Sequence, residues 1–373
     1  MKSLKSLCFY GFLALALLAP SSVSAVEGSR YLVKYWQIRF GKLLGVSVEP
    51  VPVLQILPEE VKEALPQGKP SSKNTRIVPS DQTPWGVEYV YKDPLILKTS
   101  GGEGVKVAVL DTGVTVGHTD LKNRIVGCKD FTNMRFPVVD GKCEDKNGHG
   151  THVAGIIAAD GGSDGLGIFG IAPQVSLFAF KVCGLSGSCY ADDIAAAINA
   201  AADGGINIIN ISLGSDKASQ LISESINYAT TKGVLVVAAG GNDGPYFASI
   251  DYPAATKEVL AVGAFGINFA IPDWSSRGIN SQTLPYVVEE QDMEFAAPGV
   301  NVESTWKNGG YAILSGTSMA SPFVTGLAAK YWPLFALETS PADSLRNFLH
   351  LNSLDLDGLG DDDSTGFGFA RVQ

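Results

Sequence analysis

The chain is poor in cysteine and histidine, with five and four in 373 residues, and it has no apolar run long enough to cross a membrane beyond its N-terminus. No cysteine pair has the spacing, with histidines nearby, that a zinc site needs, so cysteine-ligated metal is excluded. Positive charge is also scarce: 28 basic side chains stand against 38 acidic ones, a net charge of −10. The shortage is uneven. Residues 1–81 carry 10 basic and 6 acidic side chains, a balance of +4, and residues 82–373 carry 18 and 32, a balance of −14. So acidic a body argues against nucleic acid as a partner, and its surface acids also favour solubility. The basic front stretch would dock onto it with electrostatic help. With 45% hydrophobic residues and 42 glycines, the chain suffices for one large domain and a small one.

The first 25 residues read as a cleaved secretory signal. Lys2 and Lys5 precede an apolar run through Leu18, and Val23-Ser24-Ala25 offers a small-residue cleavage site. The expected destination is extracellular or periplasmic, with no membrane anchor. Removing Cys8 leaves Cys128, Cys143, Cys183 and Cys189, for which three pairings are open. Proximity favours Cys128–Cys143 and Cys183–Cys189, each closing a short surface loop; four free thiols are the alternative.

From residue 82 on, strand and helix patterns alternate. Apolar runs at 105–110, 175–182, 206–211, 234–239 and 259–264 suit strands buried on both faces. Helical stretches fall at 191–202, 219–232 and 319–332, the last stopped by Pro333. The pattern implies right-handed crossovers and a mostly parallel sheet with helices on both faces. In the front stretch, 31–36 reads as a strand and 57–65 as a short helix with proline and acids in its first turn.

Three motifs carry chemistry: Asp111-Thr-Gly after an apolar strand, Gly148-His149-Gly-Thr-His152-Val-Ala-Gly, and Gly316-Thr-Ser318-Met-Ala-Ser-Pro322. A serine hydroxyl is a weak nucleophile that needs an imidazole to take its proton and a carboxylate to fix the imidazole tautomer. The plain alternative for Ser318 is a helix N-cap. The order Asp…His…Ser differs from that of α/β-hydrolases and chymotrypsin-like enzymes and matches subtilisin. In these motifs, and in the glycine-aromatic close at 366–372, the chain resembles the subtilisin-like serine proteases (the subtilase family) over residues 82–373. A sedolisin-type acid peptidase would leave the two-histidine motif unexplained.

The resemblance implies a three-layer α/β fold preceded by a small α+β prosegment over 26–81, acting as chaperone and transient inhibitor. It implies a secreted endopeptidase, a monomer acting on proteins or peptides. Asp111 would orient His149, the general base, Ser318 would form the acyl-enzyme, and Asn242 would hold the oxyanion. Ser212, Leu213 and Gly214 would line one side of the primary pocket, Ala239, Gly240 and Gly241 the other, with Asp251 at its floor. A carboxylate there would favour lysine or arginine; an Asp251 turned outward would leave the preference broad. Gln82, Asp120 and Asp164, with carbonyls of residues 162–168, resemble a calcium site; a metal-free acidic loop is the alternative. His152 reads as a buttress of the site, His118 and His350 have no assigned role, and 289–294 reads as a solvated charge run. The rival class is a binding protein that keeps the fold without the activity.

Overall fold

The computed structural model describes residues 31–35, 46–57, 60–64, 77–280 and 287–373. The signal-peptide reading of residues 1–25 falls outside them. The chain divides into two compact units, 1–51 and 52–373. The described part of the first is an antiparallel pair, β1 (Tyr31–Tyr35) and β2 (Val46–Pro50), with Tyr31 opposite Pro50.

The second unit is built on an eight-stranded sheet. Its spine is β5 (Lys106–Asp111), flanked on one side by β8 (Ser176–Lys181), β6 (Ile125–Asp130) and the short β7 (Val139–Asp140). On the other side follow β10 (Ile208–Ile211), β12 (Leu235–Ala239), β13 (Val259–Phe265) and β14 (Phe295–Pro298). All neighbours are parallel except β7, which returns antiparallel to β6. Strands β10, β12 and β13 are buried at every residue. That is what continuous apolar runs in a doubly covered parallel sheet require. The five expected strands all lie within two residues of their sequence positions.

Six helices are present among the described residues. The helices His149–Ala158 and Thr317–Tyr331 pack on one another and on the sheet; Ala191–Asp203 and Gln220–Thr231 form a second such pair, giving three layers. Every residue of His149–Ala158 is buried, so this is a core helix rather than an amphipathic one. Two short helices, Trp85–Tyr91 and Pro341–Leu351, complete the set.

The front stretch departs from expectation. Residues 60–64 are not helical: they form β4 (Glu60–Ala64), antiparallel to β16 (Tyr311–Ser315). The open edge of β16, whose other side pairs with β15 (Val302–Thr305), offers backbone partners that override weak helical propensity. Just before it, β3 (Val53–Ile56) lies between β11 (Leu213–Gly214) and β9 (Ser188–Tyr190), antiparallel to both. No helix among the described residues is long and apolar enough to cross a membrane.

Candidate active site

Asp111 closes β5 and His149 opens its helix, and both are buried. His149 Nδ1 lies 2.7 and 2.9 Å from the two Asp111 carboxylate oxygens. Between two acceptors Nδ1 carries the proton, which leaves Nε2 as the basic nitrogen. The Thr112 N–H donates to the same carboxylate at 2.6 Å. This approach needs glycine at 150, where a Cβ would stand 2.2 Å from the Gly113 carbonyl oxygen and 2.9 Å from Asp111 Oδ1.

Behind the pair lies Asp145, buried, which the sequence analysis passed over. Its carboxylate accepts from Thr112 Oγ1, the Asn147 and Gly148 N–H groups, and both the N–H and Oγ1 of Thr151, at 2.7 to 3.0 Å. It ties the end of β5 to the N-terminus of the His149 helix, where a negative charge is favoured. An acid a few residues before a helix start was the available signal.

Ser318 lies in the first turn of its helix, not at the cap, which is Gly316. Pro322 has no N–H to give the Ser318 carbonyl four residues back. Ser212 Oγ donates to that carbonyl instead, at 3.1 Å, while Ser318 Oγ donates to the Ser212 carbonyl at 3.3 Å. Asn210, Ser321 and Thr325 complete this buried network. Their polarity inside apolar elements was the sequence signal for it. Asn242 follows β12, and its Oδ1 accepts from the N–H and Oγ1 of Thr317, both at 3.0 Å. The amide oxygen is therefore held on Thr317, and the NH2 end faces the other way.

Leu213 and Gly214 form one side of a cleft, already paired with β3. The Ile56 N–H donates to the Gly187 carbonyl at 3.0 Å, and Leu54 and Leu57 are buried. Ala239 ends β12, and the Asp251 N–H donates to the Gly240 carbonyl at 2.9 Å. The Asp251 carboxylate stands between the walls: Oδ2 is 2.9 Å from where a Cβ on Gly214 would sit and 3.1 Å from that of Gly241. Burial, then the charges of Asp243 and Asp216, push its pKa up to about 7.

The residues considered for a cation meet at the 160–168 loop. Asp120 is buried; its Oδ2 accepts from the Ile168 N–H at 3.0 Å and Tyr311 Oη at 2.7 Å. A Cβ on Gly167 would fall 2.0 Å from its carboxylate, so loop and acid are in direct contact. The Gln82 carboxamide meets the Gly165 and Gly167 carbonyls at 2.6 and 3.0 Å. Asp164 lies in the loop itself and accepts from the Leu166 N–H.

His152 Nε2–H donates to the Val302 and Ala312 carbonyls, and burial lowers its pKa to about 3, so it stays neutral. His118 donates to the Gly310 carbonyl at 2.9 Å. The solvated reading of 289–294 is corrected at two residues: Asp292 and Glu294 are buried. Glu294 receives Arg346 through Nε and Nη2 and His350 through Nε2. Burial would raise its pKa, but these partners hold it below the ordinary value. An arginine fifty residues downstream gives no local sequence signal. The disulfides are Cys128–Cys143 and Cys183–Cys189.

The profile of the Subtilase family matches residues 102–368. The chain is 44% identical to a subtilisin of Bacillus sp. (strain TA39) over 346 residues, 88% of this chain and 80% of that one. It is 39% identical to the M-protease of Shouchella clausii (strain KSM-K16), over 75% of this chain and 69% of that protein. Among solved structures, sphericase superposes with a TM-score of 0.76 at 48% identity, covering 79% of this chain and 99% of its own. A psychrophilic protease, S41, gives 0.74 at 45% identity with the same coverage.

Proposed function

Because the chain belongs to the subtilase family and is a subtilisin-like serine endopeptidase, we propose that Asp111, His149, Ser318 and Asn242 are its catalytic residues. The observation that carries this reading is the buried His149 Nδ1–H shared by both Asp111 oxygens, which leaves Nε2 as base. His149 Nε2 takes the Ser318 hydroxyl proton as Oγ attacks the scissile carbonyl, then gives it to the departing amine. Asn242 Nδ2 and the Ser318 N–H hold the oxyanion. Water, activated by the same histidine, then releases the acyl group. Asp111 stays ionised throughout and stabilises the imidazolium.

Residues 1–25 act in this reading as a secretory signal and 26–81 as a prosegment of the 82–373 catalytic domain. Its supporting observation is β3, which occupies the cleft as an added strand, the way an extended substrate binds. Gln82, Asp120, Asp164 and carbonyls of the 162–168 loop would hold a calcium ion, whose hard oxygen ligands they supply. Such an ion would fasten the loop to the start of the catalytic domain and takes no part in bond breaking. Asp251 would favour lysine or arginine before the scissile bond.

Wild type and Ser318→Ala, expressed side by side, test the reading by intact mass and by digestion of a peptide library. The expected result is a wild type that loses its prosegment near residues 75–82 and cuts the library, with an alanine variant that does neither. If both keep the prosegment and leave the library whole in calcium, the chain is a binding protein on a protease fold.

A further inference from the structure

Two buried carboxylates, Asp111 and Asp145, stand at the end of β5, and the N–H and hydroxyl groups that donate to them are neutral as long as His149 is. A cation lies one strand away. Lys181 closes β8 and is the partner of Asp111 across the parallel pair. Its Nζ donates to the Thr112 carbonyl in a part-buried setting. Burial lowers the Lys181 pKa, and the charges of Asp145, Asp130 and Asp111 oppose that shift. Thr112 is thereby held at every polar group. Its N–H donates to Asp111 Oδ1 at 2.6 Å, and its carbonyl accepts from Lys181. Its Oγ1 donates to Asp145 Oδ1 at 2.9 Å and accepts from the Gly150 N–H at 3.0 Å. One residue thus joins both carboxylates, the ammonium and the helix that carries His149.

These contacts bear on the proton at His149. Asp111 and Asp145 each favour a positive imidazole, and an imidazole that is already protonated cannot take the Ser318 proton. Lys181 opposes them. Two carboxylates and one ammonium leave a single negative charge around neutral His149, which imidazolium formation cancels. Without the ammonium a negative charge would remain after protonation, and His149 would hold its proton to higher pH. We propose that Lys181 is a positioning residue for the reaction: through Thr112 it sets the Asp111 carboxylate against His149, and through its charge it keeps His149 neutral, and so basic, at working pH. The other charges around this group are placed less well for that task. Asp130 on β6 has its Oδ1 engaged by the N–H and Oγ1 of Thr132, and Lys146 is exposed. Lys307, beyond β15, reaches the Lys146 carbonyl at 3.2 Å. His152, on the same helix as His149, stays neutral. Exposed charges are screened, whereas a part-buried ammonium beside two buried carboxylates is screened much less.

This inference rests on the protease reading, and two measurements keep their failures apart. The first is the pH profile of kcat/KM on one peptide for wild type, Lys181→Gln, Lys181→Met and Lys181→Arg, with active enzyme counted by a serine-directed sulfonyl fluoride. Glutamine still donates to the Thr112 carbonyl, methionine fills the space without donating, and arginine restores the charge. The expected result is an acid limb whose midpoint rises by about one pH unit in Lys181→Gln and Lys181→Met and returns in Lys181→Arg. Lys181→Met is expected to lower kcat on the plateau by a further factor of about 10, with KM little changed, because Thr112 loses a charged donor. The second measurement follows the His149 Nδ1–H proton resonance with pH in the Ser318→Ala protein, with and without Lys181→Gln. It needs no activity, and the same rise is expected there. If Lys181→Met does not fold, Lys181→Gln and the resonance carry the test. A midpoint that stays in place or falls, in proteins that melt like wild type, leaves Lys181 a structural tie and overturns the proposal. A wild type that cuts no peptide sinks the protease reading, and the resonance still decides whether Lys181 sets the His149 proton.

Discussion

Three buried aspartates face opposite circumstances on the two sides of the cleft. On the side of the β5 end, Asp111 accepts from His149 and Thr112, and Asp145 takes five hydrogen bonds from the turn and helix start. On the pocket side, Asp251 is as buried, but among the described residues its carboxylate accepts no hydrogen bond, the acids of Asp216 and Asp243 lie within 4.8 Å of it, and its pKa is pushed up to about 7. The first region is complete within the chain, so its charges hold their neighbours rigidly in place. The second has no such hydrogen-bonding partners among the described residues. Buried charge that is satisfied positions groups, whereas buried charge that is unsatisfied selects ligands.

The sharpest way to break this contrast is Asp111→Asn. The amide fills the same space but can offer an N–H to His149, turning the imidazole to the wrong tautomer. The expected loss is about 10,000-fold in kcat with little change in folding, read by steady-state kinetics and thermal melting. A small loss would mean that His149 needs no carboxylate. Asp145→Asn should act on stability instead. It leaves donors at the helix start without a charged acceptor, a cost of about 3 kcal/mol, measurable by urea unfolding of the Ser318→Ala protein so that self-digestion does not interfere.

The sequence made the complete region far easier to read than the incomplete one. Asp111, His149, Ser318 and Asn242 sit in motifs whose local patterns, strand end or helix start, follow from periodicity and glycine placement. The parallel sheet was legible for the same reason, since strands buried on both faces must be apolar throughout. Asp145 and the Asn210–Ser321–Thr325 network were not legible, because their partners come from other elements. The Glu294–Arg346 pair was hidden by distance in sequence, and an acidic run looked solvated when two of its members are buried. Residues 60–64 failed for a related reason. Their helical composition gives way to the free edge of β16, which only the tertiary structure supplies. The convergence of Asp216 and Asp243 on Asp251 likewise depends on two turns that no single stretch encodes.

The smallest effect is the most diagnostic, because its sign is opposite to that at Asp145. Asp251 has a pKa near 7 in the folded chain and an ordinary aspartate value, near 4, when unfolded. Between those values the folded state binds more protons than the unfolded one, so this residue makes stability fall as pH rises from about 4 to about 7. Its cost is fully expressed above that window and absent below it. Asp251→Asn should therefore leave stability unaltered near pH 4 and raise it by on the order of 2 kcal/mol at pH 8, in urea titrations on the Ser318→Ala background. After burial, the charges of Asp243 and Asp216 are what raise the Asp251 pKa. A peptide ending in arginine, bound in the cleared cleft, should reverse the order and make the aspartate the more stable protein. If asparagine is destabilising at pH 8 in that protein, the carboxylate already has a partner within the chain, and the two sides of the cleft are alike.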